Sequence, residues 1–74
     1  MNTLTSYWLD LPETMRNYHA PIEAKVFGPY PDNTWDVEIY IGTDVMATVT
    51  LPFLDNIYED LAPHIATAKI LYNY

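Results

Sequence analysis

The chain has 74 residues and no cysteine, and it carries ten Asp or Glu against three Lys or Arg, for a net charge of -7. A chain of this length forms one small domain, residues 1–74, without disulfides or thiolate metal sites to supplement its core. The charge opposes direct binding to nucleic acid and to anionic membranes, because both surfaces are themselves negative, and it favours encounter with basic partners.

The sequence predicts a folded domain free in the cytoplasm. No stretch reaches the length of an apolar membrane span, and the first residues lack the basic segment and apolar run of a secretion signal. Half of the residues are apolar or aromatic, which is enough to form a core. We therefore expect a soluble, cytoplasmic protein.

The first predicted element is a short helix from Leu11 to His19. Asp10 suits the position that caps a helix start, and Pro12 is tolerated in the first turn because the N–H that it lacks would have no helical partner there. Pro21 is predicted to end the helix, since a residue that precedes proline is driven out of the helical region.

Three strands are predicted next, because apolar and polar residues alternate between Ile22 and Leu51. The segment 28–33 is rich in turn-forming residues and separates the first of these strands from the second. Residues 42–44 are predicted to form a three-residue loop between the second strand and the third. Strands joined in this way form an antiparallel meander.

The positions of the apolar residues also predict the register. Burying one face of the second hairpin requires Ile41 to lie opposite Val45. Between the first two strands, Lys25 opposite Glu38 is favoured over Glu23 opposite Glu38, because opposite charges across a strand pair stabilise a sheet and like charges do not. This register predicts a set of side chains on the uncovered face: Asp36, Glu38, Tyr40 and Met46.

The last predicted element is a helix that covers the sheet. Its apolar stripe follows steps of three and four residues: Leu54, Ile57, Leu61, Ile65, Ala68 and Tyr72. Pro63 lies away from the stripe and predicts a kink or a break into two short helices, since an interior proline costs ~3 kcal/mol or more. The predicted fold is a two-layer α+β sandwich with a short N-terminal helix, a three-stranded antiparallel meander and this C-terminal helix.

The predicted order of elements resembles that of the double-stranded-RNA-binding domain, which runs helix, three strands, helix over a similar length. That family contacts RNA phosphates through a lysine cluster at the start of its last helix. The corresponding region here, residues 53–60, contains Asp55, Glu59 and Asp60 and no lysine. The inverted charge opposes the phosphate contacts that RNA recognition requires.

The sequence contains no catalytic motif. Its single serine, Ser6, and its two histidines, His19 and His64, belong to no nucleophile, phosphate-loop or zinc-protease pattern. Asp60 and His64 lie four residues apart, but a zinc site takes three or four protein ligands. We therefore expect a protein that is not an enzyme and that binds no metal or other cofactor.

Aromatic and acidic side chains provide the leading functional hypothesis. Seven Tyr and two Trp are more than one small core needs, and both residue types are common in protein interfaces. We expect a noncatalytic acidic module that inhibits a basic nucleic-acid-binding protein or complex of a host. The expected partner-binding residues are Asp36, Glu38, Tyr40 and Asp44 on the hairpin, and Asp55, Glu59 and Asp60 on the helix.

Anti-CRISPR and anti-restriction inhibitors encoded by phages and plasmids are comparable in size and charge, and they act in the host cytoplasm. We expect a local acidic patch rather than a full nucleic-acid mimic, because carboxylates on the sheet and on the helix face different directions. The alternative is a structural or regulatory subunit, or a homo-oligomer, that assembles through tyrosine-rich and apolar surface. In that case the charge serves only solubility.

Overall fold

The structure, a computed structural model, describes residues 4–12 and 20–74. The elements in chain order are β1 (Thr5–Leu9), β2 (Ile22–Gly28), β3 (Trp35–Ile41), β4 (Asp44–Leu51) and α1 (Ile57–Tyr72). The strands pair in sequence order as one antiparallel sheet, and α1 packs against β3 and β4. The α+β class, the antiparallel sheet and the C-terminal helix are therefore confirmed.

The sheet has four strands rather than the predicted three, and the strand that was not predicted is β1. Four of its five residues are exposed, and consequently no alternation of buried and exposed positions marks it in the sequence. It nevertheless pairs along its whole length, from Thr5 opposite Gly28 to Leu9 opposite Ala24. The one sequence feature that favours this strand is its content of Thr, Tyr and Trp, which are strand-forming residues.

Most of the predicted N-terminal helix from Leu11 to His19 falls outside the described residues, and the described part of the chain contains no helix before β2. Leu11 and Pro12 are not helical, and residues 13–19 lie outside the described residues. Leu11 is instead buried in the core. The preceding Asp10 accepts a hydrogen bond on its backbone oxygen from the Tyr58 hydroxyl at 2.7 Å, which ties the end of β1 to the start of α1.

The core lies between the sheet and α1. The strands contribute a set of buried apolar residues: Ile22, Ala24, Val26, Val37, Ile39, Ile41, Val49 and Leu51. The helix contributes the central part of the predicted stripe: Ile57, Leu61, Ile65 and Ala68. Leu54 packs against this core before the helix begins, but Tyr72 at the other end of the stripe is 37% exposed. The predicted register between β2 and β3, with Lys25 opposite Glu38, is confirmed.

The hairpin of β3 and β4 differs from the prediction at its loop. The strands are joined by residues 42–43 alone, so Ile41 lies opposite Asp44 and Tyr40 lies opposite Val45. The predicted three-residue loop, which placed Ile41 opposite Val45, is therefore wrong. Val45 consequently shares a face with Tyr40 and is exposed, although it was predicted to be buried.

A β-bulge at Met46 restores the predicted register beyond the loop. Ile39 lies opposite Ala47, so Met46 is an extra residue in β4 without a partner in β3. The bulge returns the following apolar residues of β4 to the buried face. Met46 itself packs against the core, and its predicted place on the open face is wrong. Past the bulge, Glu38 lies opposite Thr48 and Asp36 opposite Thr50, which is the register that the predicted pairing of Ile41 with Val45 implied.

The helix α1 is continuous over 16 residues, although Pro63 lies inside it. Of the two predicted alternatives, a kink or a break, the break into two short helices is therefore wrong. Pro63 is exposed, and its ring lacks the N–H that would normally bond to the backbone oxygen of Glu59 one turn earlier. Among the described residues, no helix is both long enough and apolar enough to cross a membrane.

The last residues fasten the end of α1 to the segment before β2. Asn73 adopts a left-handed conformation and donates its N–H to the backbone oxygen of Ile70, while the N–H of Tyr74 bonds to that of Lys69. These two bonds form a Schellman motif, which ends the helix. The Tyr74 hydroxyl then donates to the backbone oxygen of Ala20 at 2.6 Å.

Candidate functional site

The candidate site is the open face of the sheet, which we define as the side that α1 does not cover. Successive residues of a strand point to opposite faces, so the buried residues of each strand identify the residues on the open face. These are Ser6 and Trp8 on β1, Glu23, Lys25 and Phe27 on β2, Asp36, Glu38 and Tyr40 on β3, and Val45, Thr48 and Thr50 on β4. The open face thus combines aromatic rings, carboxylates and hydroxyl groups with a single lysine.

Trp8 is the most exposed aromatic residue of the open face, at 52%. It lies opposite Lys25, which in turn lies opposite Glu38, so these three residues form a row across three strands. The ring of Trp8 also reaches across β2 to Tyr40, with 5.3 Å between ring centroids and an angle of 59° between the planes. This distance and tilt are typical of a favourable aromatic pair.

The ammonium group of Lys25 lies among these rings. Its Nζ atom is 5.2 Å from the ring centroid of Trp8 and 5.4 Å from that of Phe27. Both distances are within the range of cation–π attraction, in which the negative face of an aromatic ring binds a positive charge. The aromatic rings of the open face therefore already contact one cation, the ammonium group of Lys25.

Glu38 and Tyr40 are joined by a short hydrogen bond. The Tyr40 hydroxyl donates to Oε1 of Glu38 at 2.6 Å. This bond raises the pKa of Tyr40 above its ordinary value, because the bond requires the protonated hydroxyl; partial burial and the negative charge of Glu38 act in the same direction. Tyr40 thereby connects a carboxylate to the aromatic pair with Trp8.

Asp36 is the second carboxylate on β3, and a hydroxyl group of the neighbouring strand holds it. Thr50 donates from Oγ1 to Oδ1 of Asp36 at 2.8 Å. Asp36 also raises the pKa of Tyr30, in the loop between β2 and β3, because hydrogen bonding to the carboxylate favours the protonated hydroxyl. The carboxylate is therefore held by β4, and Tyr30 senses its charge.

The loop that carries Tyr30 is itself ordered by local hydrogen bonds. The N–H of Tyr30 bonds to the backbone oxygen of Thr34 at 2.9 Å, and the N–H of Asn33 bonds to that of Tyr30 at 2.8 Å. Asp32 accepts hydrogen bonds from the hydroxyl and the N–H of Thr34, and these bonds lower the pKa of Asp32 because they favour the carboxylate. Tyr30 is therefore positioned beside the sheet by a fixed turn.

The seven expected partner-binding residues do not form one surface. Three lie together on the open face: Asp36, Glu38 and Tyr40. Three others are exposed around the start of α1, on the other side of the sheet: Asp55, Glu59 and Asp60. Asp44 lies opposite the buried Ile41, and the actual register therefore turns it away from the open face.

The acidic residues of α1 have a structural role that accounts for their position. Glu59 and Asp60 lie in the first turn, where the exposed N–H groups of a helix create a partial positive charge. Asn56 precedes the helix, but its side chain makes no capping hydrogen bond. The carboxylates therefore stabilise a helix start that lacks a side-chain cap.

Three residues of the open face were not predicted as site residues: Trp8, Phe27 and Thr50. Trp8 was missed because β1 was not predicted, although a tryptophan that belongs to no predicted apolar face was a usable indication in the sequence. Phe27 and Thr50 occupy open-face positions that the predicted register already implied. Their contacts with Lys25 and Asp36 depend on side-chain geometry, which spacing does not specify.

Among the described residues, no three His, Asp or Glu side chains are grouped closely enough to hold a metal ion. No protein-family model matches the chain, and comparison with curated proteins and with solved structures gave no significant match. The chemistry of the open face is therefore the basis for assigning a function.

Proposed function

We propose that the protein is a noncatalytic binding module whose open face contacts a basic protein surface. The observation that carries this proposal is an uncovered sheet face on which an exposed indole, a tyrosine and two carboxylates are held in place by contacts within the chain. Tryptophan and tyrosine are common anchors of protein interfaces, and fixed carboxylates pair with lysine and arginine.

The partner is a nucleic-acid-binding protein or complex, and the module inhibits it by covering the surface that holds phosphate. The net charge of -7 supports this choice, because proteins that bind nucleic acid carry basic patches of the opposite sign. By analogy of size and charge with anti-CRISPR and anti-restriction proteins, we extend the proposal to a phage or plasmid product that acts in the cytoplasm of its host.

The proposed contact is a local patch and not a copy of a duplex. Asp36 and Glu38 are alternate residues of one strand, so they lie ~6.8 Å apart. The acidic residues of α1 point to the other side of the sheet and cannot contact the same flat partner surface. Affinity therefore depends on the aromatic residues of the open face as well as on charge.

The test is capture of partners with matched charge variants. The wild-type protein, D36K/E38K and the control E59K/D60K are used to capture proteins from a bacterial lysate, and each captured protein is assayed for nucleic-acid binding with and without the module. We expect wild type and E59K/D60K to capture the same protein and to inhibit it, and D36K/E38K to do neither. Equal capture and inhibition by all three would refute the proposal, since both double variants carry the same net charge.

A second candidate function is assembly as a subunit, and a separate observation favours it. Ile70 and Leu71, near the end of α1, are 79% and 68% exposed, and Phe53 before the helix is 69% exposed. Large apolar side chains exposed to this extent favour association. Sedimentation over a range of concentrations tests this candidate: it predicts an oligomer that I70S/L71S dissociates, whereas a module that acts as a monomer sediments as one species in both forms.

A further inference from the structure

We propose that the open face binds an arginine side chain of the basic partner, with the guanidinium stacked on Trp8 and hydrogen-bonded to Glu38. We further propose that Lys25 is an internal substitute for this arginine. While the protein is free, the ammonium group of Lys25 occupies the aromatic cluster, which we define as the rings of Trp8 and Phe27. This inference rests on the proposed function, and it specifies which group of the partner is recognised and by which side chains.

The contacts within the chain show that the cluster accepts a cation. Lys25 places its ammonium within 5.4 Å of two ring centroids, those of Trp8 and Phe27. With half of its surface exposed, the Trp8 indole is accessible to a second cation from solvent. Cation–π attraction is strongest for tryptophan among the aromatic side chains, so Trp8 is the principal contact.

A carboxylate lies next to the same rings. Tyr40 contacts Trp8 through its ring and donates its hydroxyl to one oxygen of Glu38. A carboxylate has about four acceptor positions on its two oxygens, so a single hydroxyl donor leaves acceptor capacity for an incoming N–H group. A cation stacked on Trp8 is therefore within reach of a negative charge that Tyr40 holds in place.

This combination fits arginine better than lysine. A guanidinium is planar, so one face can stack on the indole of Trp8 while the N–H groups at its edge bond to the carboxylate of Glu38. An ammonium is a compact and strongly hydrated charge, and it gains less from stacking. The exposed indole of Trp8 beside the fixed carboxylate of Glu38 therefore favours arginine over lysine, although both side chains carry one positive charge.

The position of Lys25 leads to an unusual expectation. An arginine that stacks on Trp8 meets the ammonium of Lys25, which lies 5.2 Å from the centroid of that ring, and must displace it. Removal of the Lys25 charge by K25M, which keeps an apolar chain of similar length, should strengthen binding by about fourfold, since this is the effect of the repulsion between two unit charges ~5 Å apart in water. If Lys25 instead contributed a contact to the partner, K25M would weaken binding.

The experiment compares short peptides of arginine and of lysine, matched in length, by calorimetric titration. The variants are W8A and K25M, and the control is Y7A, which removes a neighbouring aromatic residue from the other face of β1. We expect the arginine peptide to bind more tightly than the lysine peptide, W8A to lose about tenfold in affinity for arginine, and Y7A to bind as wild type does. W8L serves in place of W8A if the smaller side chain disrupts β1.

The outcomes separate the inference from the proposed function. Preference for arginine that W8A abolishes and K25M strengthens supports the inference. Equal affinity for both peptides, or equal effects of W8A and Y7A, overturns it but leaves an acidic protein-binding surface intact. Weaker binding by K25M overturns the role of Lys25 as a substitute. If neither peptide binds at low salt, both the inference and the proposed function fail.

Discussion

At the scale of single residues, Tyr40 connects the two chemical parts of the open face. Its ring lies against Trp8 and its hydroxyl bonds to Glu38, so a change in its protonation alters both contacts. The Thr50 hydroxyl bonds to Asp36 in a similar way. Hydroxyl-to-carboxylate bonds therefore hold both acidic groups of β3 in place.

The tyrosine contacts predict a specific dependence on pH. The pKa values of Tyr30 and Tyr40 are raised in the folded protein, so their hydrogen bonds stabilise the fold fully below pH 10.0, the ordinary value, and this stability is lost as the pH rises through the higher folded values. In a titration of tyrosinate absorbance, E38Q should shift Tyr40 back toward its ordinary value. Unchanged titration in E38Q would show that the bond is not formed.

Two glycines provide a second prediction at this scale. A Cβ atom added at Gly28, where φ is +148, would lie 2.8 Å from Cε3 of Trp35, whereas one at Gly42, where φ is +63, would be 3.6 Å from the Tyr72 hydroxyl oxygen. We expect G28A to lower the free energy of unfolding by about 2 kcal/mol or more, through clash and backbone strain together. G42A should cost about 1 kcal/mol, from the backbone alone.

Denaturant titration of both glycine variants measures these differences. G42A is the matched control, because it introduces the same methyl group at a positive φ without a close neighbour. A G28A variant that is as stable as G42A would contradict the packing of Trp35 against β2.

At the scale of elements, Pro63 gives the clearest prediction. The helix α1 continues through this proline, which lacks the N–H needed for the backbone bond to Glu59. We expect P63A to raise the free energy of unfolding by about 1–3 kcal/mol, since alanine restores the bond and is the best helix former. The control is A62G, at an exposed position of the same helix, which should lower the free energy of unfolding by about 1 kcal/mol. Lower stability of P63A would indicate that the proline ring makes a contact the fold requires.

The sequence predicted the elements whose periodicity is strong. The alternation in β2 and β3 gave their faces, and the choice of Lys25 opposite Glu38 gave their register, because only one pairing avoided like charges. The stripe of α1 also gave its buried face, since a single helical face carries Ile57, Leu61 and Ile65. These elements are each half-buried, and a half-buried element leaves its period in the sequence.

The remaining elements could not be derived from periodicity. The strand β1 is an edge strand with almost no buried side, so the pattern that identifies strands is missing from it. The predicted three-residue loop of the β3–β4 hairpin assumed unbroken alternation along both strands, and the bulge at Met46 allows a loop of two residues instead. The sequence therefore predicted only part of the candidate site. It placed Asp36, Glu38 and Tyr40 on the open face but did not identify Trp8 as a site residue.

At the scale of the whole molecule, binding through charge depends on salt concentration, whereas assembly through apolar surface does not. If the module binds its basic partner through the open face, affinity should fall by about tenfold between low and high ionic strength, mainly through slower association. Surface plasmon resonance over a salt series measures both rates. An affinity that is constant in salt would favour assembly through the apolar end of α1, near Ile70 and Leu71.

The two tryptophans allow the most direct test of the central claim, because they report on opposite faces of the sheet. Trp8 is exposed on the open face, whereas Trp35 lies on the helix side and packs against the core. In a titration with the arginine peptide, followed through the two indole N–H resonances, we predict that the Trp8 signal shifts with a saturable curve and that the Trp35 signal remains unchanged. A saturable shift of Trp35, with Trp8 unaffected, would contradict binding at the open face.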